Sequence, residues 1–418
     1  MNTSYRLQTL TIITLCVTLF WGAFGLDTVI NPSALRFPLH RAFILMTSII
    51  FLFNIQQVLN ICQNSKTLVF LILFTLVSAI WAGNPVEVVK DFTFLSASML
   101  ITILSVLAFN ESRIKLIRWL YWLFLLMTLA SIFIALVYPQ LGINIRDFGK
   151  PRWIGITSHP NGLGTLAGIL IWLSCNLYIL SKNKSEKLLV LFSILIAFFV
   201  IIKADSMTNI ITSFIVIALT IHYTYLSRVN KSIKVLVVIS LIFFSIIVVT
   251  FFMSPDEIIN TAFNSAGRSS NFSGRTRLWS VSFKALSDHL LFGYGFDNLE
   301  LLTKRYHIQM SHLHNGYIEL IIKGGIIAAA LLFLILLKTY LNLIKIKTIN
   351  KADFIFLNTG FIMILLHNFT ESSFFKGLDA LNIFLLYIIV SANLISKNHL
   401  NNNPPNNYNL KPLIRHGK

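Results

Sequence analysis

LIRWLYWLFLLMTLASIFIALVY, residues 116–138, carries a single charged side chain, Arg118, and is long enough as a helix to cross a bilayer. Similar apolar runs extend from it in both directions, and the reading predicts twelve spans. They centre on residues 9–24, 42–59, 68–82, 92–109, 116–138, 163–180, 188–202, 209–225, 233–253, 316–337, 354–368 and 380–395. The seventh and eighth are separated only by residues 203–205. Of the whole chain, 56% is hydrophobic and only 12% is charged. Soluble domains carry about 25% charged residues. The deficit runs the length of the sequence, which excludes a soluble domain with one anchor.

Lysine and arginine set the expected orientation. Arg113, Lys115 and Arg118, then Lys182, Lys184 and Lys187, then Lys338, Lys345, Lys347 and Lys351 fall on alternate connections. Such clusters mark the cytoplasmic side. Both termini are therefore expected inside, and residues 254–315 form a long loop outside, between spans nine and ten. The expected organisation is spans one to nine over residues 1–253, the loop over 254–315, spans ten to twelve over 316–396, and a disordered cytoplasmic tail over 397–418. The net charge of +18 follows mostly from this topology, with inside lysines next to anionic lipid headgroups, and it calls for no nucleic-acid partner. Cys16, Cys62 and Cys175 are scattered and lack disulfide or zinc-ligand spacing. The first run reads as an uncleaved span rather than a signal peptide.

The outer loop departs from the charge pattern. It carries Arg268, Arg275, Arg277, Lys284, Lys304 and Arg305 on the side where basic residues are normally sparse, which points to an anionic ligand. A helix is expected over residues 276–290, with Trp279, Phe283, Leu286 and Leu290 on one apolar stripe. The aromatic stretch Phe292-Gly293-Tyr294-Gly295-Phe296 then reads as a turn.

Arginine offers a planar fork of donors matched to phosphate oxygens. Arg275 and Arg277 are two residues apart, so on a helix only one of them faces the site. Arg275 lies one turn before Trp279 and is the preferred one. Arg152, on an earlier outer segment, supplies a second guanidinium. A neutral imidazole such as His314 can accept a proton near neutral pH. Each group also has a structural reading: arginines snorkelling to headgroups, a histidine capping a span, His159 before Pro160 shaping a turn, and Glu319–Lys323 as an intrahelical pair. His367 and Glu371 repeat that spacing. His312 and His314 lack a third nearby ligand, so no metal is expected. Neither GxGxxG nor GxxxxGK[ST] occurs, so an outward-facing site has to use an already activated substrate.

Four segments together resemble the O-antigen ligase and O-antigen/exopolysaccharide polymerase superfamily. They are SGRTRLWSVSFKALSDHLLFGYGFDN at 273–298, HNGYIELIIKGG at 314–325, Arg152 with HPNGLG at 159–164, and TESSFF at 370–375. The resemblance implies an all-α, GT-C-like membrane glycosyltransferase of the inner membrane, active on the periplasmic face without cofactor or metal. Its donor would be a glycan on undecaprenyl diphosphate. Its acceptor would be a second glycan or lipid A–core, and a chain-length regulator is a possible protein partner. His314 maps to the base and Arg275 to the group that stabilises the leaving diphosphate. Arg152, Arg277, Trp279, Lys203, Asn315, His159 and Glu371 are the expected substrate contacts. Ligases of this group carry an arginine at the outer turn between spans seven and eight; here KADSMTN, residues 203–209, has Met207 at that place, with Lys203 as the alternative cation. This favours a polymerase over a ligase. A transporter or lipid-linked glycan flippase is the reading from another class, and it predicts internal symmetry that the sequence lacks.

Overall fold

Asparagine, proline and aspartate mark where the helices begin. Asn84 precedes Pro85 and accepts the Glu87 N–H, opening helix α5 (Pro85–Phe109). His159 and Pro160 open α8 (Pro160–Leu180) in the same way. Asn183 caps α9 (Lys184–Lys203), and Asn350 caps α14 (Lys351–His367). Asp379 accepts the Leu381 and Asn382 N–H groups ahead of α15 (Ala380–Asn402). Each cap satisfies N–H groups that the first helical turn leaves open. The computed structural model describes residues 3–23, 32–110, 112–145, 151–226, 270–297, 299–306 and 312–402. The other helices are α1 (Thr3–Ala23), α2 (Pro32–Phe53), α3 (Ile55–Asn64), α4 (Lys66–Val77), α6 (Arg113–Val137), α7 (Pro139–Gly142), α10 (Met207–Thr224), α11 (Ser270–Leu286), α12 (Glu300–Tyr306) and α13 (Gly316–Ile349). A two-residue antiparallel pairing joins Ile143–Asn144 to Arg152–Trp153.

Among the described residues, seven helices are long and apolar enough to cross a membrane: α5, α6, α8, α9, α10, α13 and the Ala380–His399 part of α15. The count rises to eight if a bent pair is one span, and shorter apolar helices cover Leu7–Phe20 and Lys66–Ile80. The chain is a multi-pass, mostly helical membrane protein. The expected ninth span, residues 233–253, lies outside the described residues, as do loop residues 254–269.

The expectation of one continuous second span over residues 42–59 is corrected. The helix bends by 95° between Ile44–Phe53 and Ile55–Asn64. Asn54 sits at the break in a non-helical conformation, and its side-chain amide donates back to the Ile50 carbonyl. Gln56, Gln57, Asn60 and Gln63 then make the second half amphipathic.

Helices α8 and α15 form the interior. Of the apolar window in each, 78% of residues are buried, against 28% in α9, whose Leu188, Phe192 and Leu195 point outward as lipid-facing side chains do. Trp172 of α8 stacks on Phe356 of α14 at 4.6 Å and donates its indole N–H to the Phe356 carbonyl. The two helices can approach because Gly360 has no side chain; a Cβ there would meet Trp172 at 2.4 Å. Polar side chains also bridge helices inside the bundle. Asn393 links Asn342 to Ser65 through bonds of 2.8 and 2.9 Å.

Helix α13 is interrupted near its start, where Gly325 has φ 64°. Residues 290–296 lie along this break. The N–H groups of Tyr294 and Gly295 donate to the Ile322 and Lys323 carbonyls, and those of Ile326 and Ile327 donate to Leu290 and Leu291. The expected turn is thus confirmed, with φ 66° at Gly293 and 99° at Gly295. Its function in the fold is to fill the opened backbone of α13. A Cβ on Gly293 would meet the Lys323 carbonyl carbon at 2.5 Å, so two glycine motifs distant in sequence are packed together.

This docking carries α11 over the end of α13. The expected apolar stripe is borne out at Trp279 and Leu286 but not at Phe283 and Leu290. Leu278, Trp279, Val281, Ala285 and Leu286 pack inward, whereas Phe283 and Leu290 are exposed.

Candidate active site

Two short segments clamp each other at the start of α13. Asn315 caps the helix, its side-chain oxygen accepting the Tyr317 and Ile318 N–H groups. Its amide donates to the Phe369 carbonyl, and its backbone N–H donates to Ser372 Oγ. Gly316 N–H donates to the carbonyls of Asn368 and Glu371, and Asn368 Oδ1 accepts the Ser373 and Phe374 N–H groups. The result fixes His314 against Glu371, with Nδ1 3.4 Å from Oε2. His314 holds a positive φ of 49°, a conformation uncommon outside glycine and frequent at functional sites.

Glu371 is the hub. Its other oxygen, Oε1, accepts from Asn161 Nδ2 at 2.5 Å. Asn161 Oδ1 in turn accepts from Arg152 Nη2 at 3.2 Å. Arg152 also donates Nε to the Ala204 carbonyl at 3.1 Å and Nη2 to the Asp205 carbonyl at 2.9 Å. An Arg152–Asn161–Glu371–His314 chain therefore joins the turn after α9 to the start of α13. Nearby, Thr165 bonds His367 Nε2 at 3.0 Å and Thr208 bonds Thr370 at 2.7 Å, which makes this end of the bundle polar.

The remaining expected contacts are distributed as follows. Trp279 donates its indole N–H to the Leu313 carbonyl at 2.8 Å, so it tethers the residue before His314 rather than reaching for headgroups. Asn315 is buried, with its side-chain oxygen capping α13 and its amide bonded to the Phe369 carbonyl. His159 is the N-cap of α8 and accepts the Asn161 N–H, positioning Asn161. Lys203 lies 6.0 Å from the Trp153 ring and 5.8 Å from that of Phe199, held by cation–π attraction on the flank. Arg275 and Arg277 stand in the first turns of α11, and their side chains lie outside the described residues.

Glu319 pairs with Lys323 at 3.3 Å as the spacing predicts, and with Lys376 at 3.4 Å. By contrast, His367 bonds Thr165, while the Glu371 carboxylate serves Asn161 and His314. The sequence reading missed Asn161; the signal for it was its place in HPNGLG behind a helix cap. It also found no third ligand near His312 and His314. The fold provides one, since donor atoms of His312, His314 and Glu371 lie within 4.8 Å of one another, a grouping compatible with a metal ion.

The His312 and His314 rings are 4.0 Å apart. Burial pushes the His312 imidazole down to about 4, and the neighbouring His314 and Lys376 charges act in the same direction. His312 therefore remains neutral around pH 7 and places no competing cation beside His314. The linkage has a defined sign. The unfolded chain takes up a proton near pH 6.5 and the folded protein only near pH 4, so stability is full above 6.5 and falls as pH drops through that interval. Melting temperatures of the purified protein should fall over that interval more steeply than those of His312→Gln. Parallel curves would remove His312 as the cause.

The fold and site define a multi-pass helical membrane protein with a histidine–carboxylate pair at one end of its bundle. The O-antigen ligase family profile matches residues 192–333, a segment that contains α11, the glycine turn and His314. Over that segment the chain is similar to the O-antigen ligase family. A comparison with curated proteins found no match.

Proposed function

We propose that this protein is a polysaccharide polymerase. It joins undecaprenyl-diphosphate-linked oligosaccharide repeat units into O-antigen, capsule or exopolysaccharide on the periplasmic face of the inner membrane. The proposed topology keeps the twelve spans and places both termini in the cytoplasm. The observation that carries the reading is His314 Nδ1 held against the Glu371 carboxylate. A proton on Nδ1 leaves Nε2 with its lone pair free, and the carboxylate stabilises the imidazolium that forms. The acceptor oxygen attacks the anomeric carbon as its proton passes to Nε2. The bond from that carbon to the diphosphate breaks, and its electron pair leaves with the lipid diphosphate. Attack opposite the leaving group inverts the anomeric centre. Arg275 offsets the charge that develops on the diphosphate. Arg152 contributes by holding Asn161 and the turn at Ala204–Asp205.

Polymerisation is favoured over ligation to lipid A–core by the turn before α10. Met207 opens that helix, and Thr208 engages Thr370 rather than presenting a cation. Lys203 is occupied over aromatic rings.

A deletion strain should carry single repeat units on the final carrier. Long polymer stranded on undecaprenyl diphosphate, with bare lipid A–core, would instead identify a ligase. The proton-transfer role also predicts that polymerisation by membranes survives EDTA. Loss on chelation with recovery on adding a divalent ion would assign His312, His314 and Glu371 to a metal.

A further inference from the structure

Beside the His314 site lies a separate cavity of about 280 Å³. Asp91, Glu319, Lys323 and Lys376 supply its charges, and Phe296 and Phe374 are among its aromatic walls. Its lining comes from α4, α5, the glycine turn, α13 and residues 374–377. Arg152, Asn161 and helices α8 to α10 contribute nothing to it.

The cavity is nevertheless coupled to His314 from two directions. Glu319 Oε2 accepts the N–H of Leu313, the residue immediately before His314, at 3.0 Å. On the other side, the wall formed by Phe374 and Phe375 follows Glu371 after two serines in the TESSFF segment.

The charges decide what fits. Two carboxylates face two ammonium groups, and Glu319 Oε1 already receives both lysines. Asp91 is partly buried, and among the described residues its carboxylate accepts no hydrogen bond. A balanced cavity of this kind does not select a diphosphate. Carboxylate acceptors and ammonium donors around aromatic rings suit an uncharged sugar ring. Its hydroxyls would bond the charged groups, and its C–H face would pack on phenylalanine. The volume is small, at the lower end of ligand pockets, and it accommodates a sugar unit rather than a whole glycan.

We infer that this cavity is the acceptor subsite, which binds a neutral, hydroxyl-rich sugar of the acceptor glycan through Asp91. The inference rests on the glycosyl-transfer reading above. It separates the two substrates: the lipid diphosphate lies towards α11 and the Arg152 turn, and the acceptor sugar lies between α5 and α13.

Binding can be measured apart from catalysis. The lipid-free repeat-unit oligosaccharide, released from the strain's own polysaccharide, is titrated against the full-length protein in detergent by saturation-transfer NMR. Wild type and Arg275→Ala should bind it alike. Asp91→Asn, which keeps the side chain's shape, should bind roughly tenfold more weakly or worse, the loss expected when a charged hydrogen-bond acceptor is removed. Lys376→Gln, at a more exposed position, provides a second variant and should also weaken binding. Equal binding by Asp91→Asn and wild type overturns the assignment, as does a wild type that binds no oligosaccharide. Failure of the glycosyl-transfer reading would register separately, as polymer production by a His314→Ala strain.

Discussion

Replacing His314 with alanine should abolish chain elongation while the protein still reaches the membrane at its normal level. General-base catalysis contributes about 10²–10⁴-fold in rate, which is enough to reduce surface polymer to single repeat units. Three features single out this histidine. Its backbone is held at φ 49°, its ring faces the Glu371 carboxylate, and the preceding residue is tethered twice, by Trp279 and by Glu319. Glu371→Gln should cause a smaller loss than His314→Ala. It removes the charge that stabilises an imidazolium but leaves a side chain able to bond Asn161. The two variants should melt at similar temperatures, since neither residue is part of the apolar core. Wild-type polymer from a His314→Ala strain, with the protein present in the membrane, would end the assignment.

Hydropathy makes the helical, multi-pass character legible, because a bilayer imposes a length on each helix and disfavours unpaired charge. It failed where a side chain answered a local question. The run over residues 42–59 is apolar on average, yet Asn54 turns back to Ile50 and bends it by 95°. On α11 the expected stripe holds at Trp279 and Leu286 and fails at Phe283, since the buried face is set by what α13 and the glycine turn offer, and neither is local. The site divides along the same line. His314 and its Asn315–Gly316 continuation were visible as a motif. Asn315 nevertheless proved to be a helix cap, the commoner use of asparagine ahead of a span. The importance of Glu371 depends on Asn161, which is 210 residues away in the chain, and no spacing rule reaches that far. Arg152 was chosen for its charge. The fold instead uses its fork to bind two backbone carbonyls and one amide oxygen, so in the proposed reaction it acts through the turn it holds.

Arg275→Ala should lower transfer by about 10²–10³-fold, the range seen when a fixed donor to a developing negative charge is removed. Arg277→Ala should cost far less. Both residues stand near the start of α11, so the difference has to come from helical register. Trp279 fixes that register, because its indole N–H is bound to the carbonyl of Leu313, next to His314. Residues four apart share a helix face and residues two apart do not. Arg275 therefore shares its row with the anchor beside the proposed base, and Arg277 does not. The charge it would stabilise appears only as the sugar–diphosphate bond breaks, so the Ala variant should lose turnover more than donor affinity. Arg275→Lys should recover part of the rate, since it keeps the charge and loses the two-pronged fit to phosphate. Trp279→Phe should resemble a weak Arg275 variant, because it loosens the tether that sets the register. Equal losses in Arg275→Ala and Arg277→Ala would show that α11 provides diffuse positive charge instead of one placed guanidinium. Full activity in Arg275→Ala would move the search for the diphosphate site to the Arg152 turn.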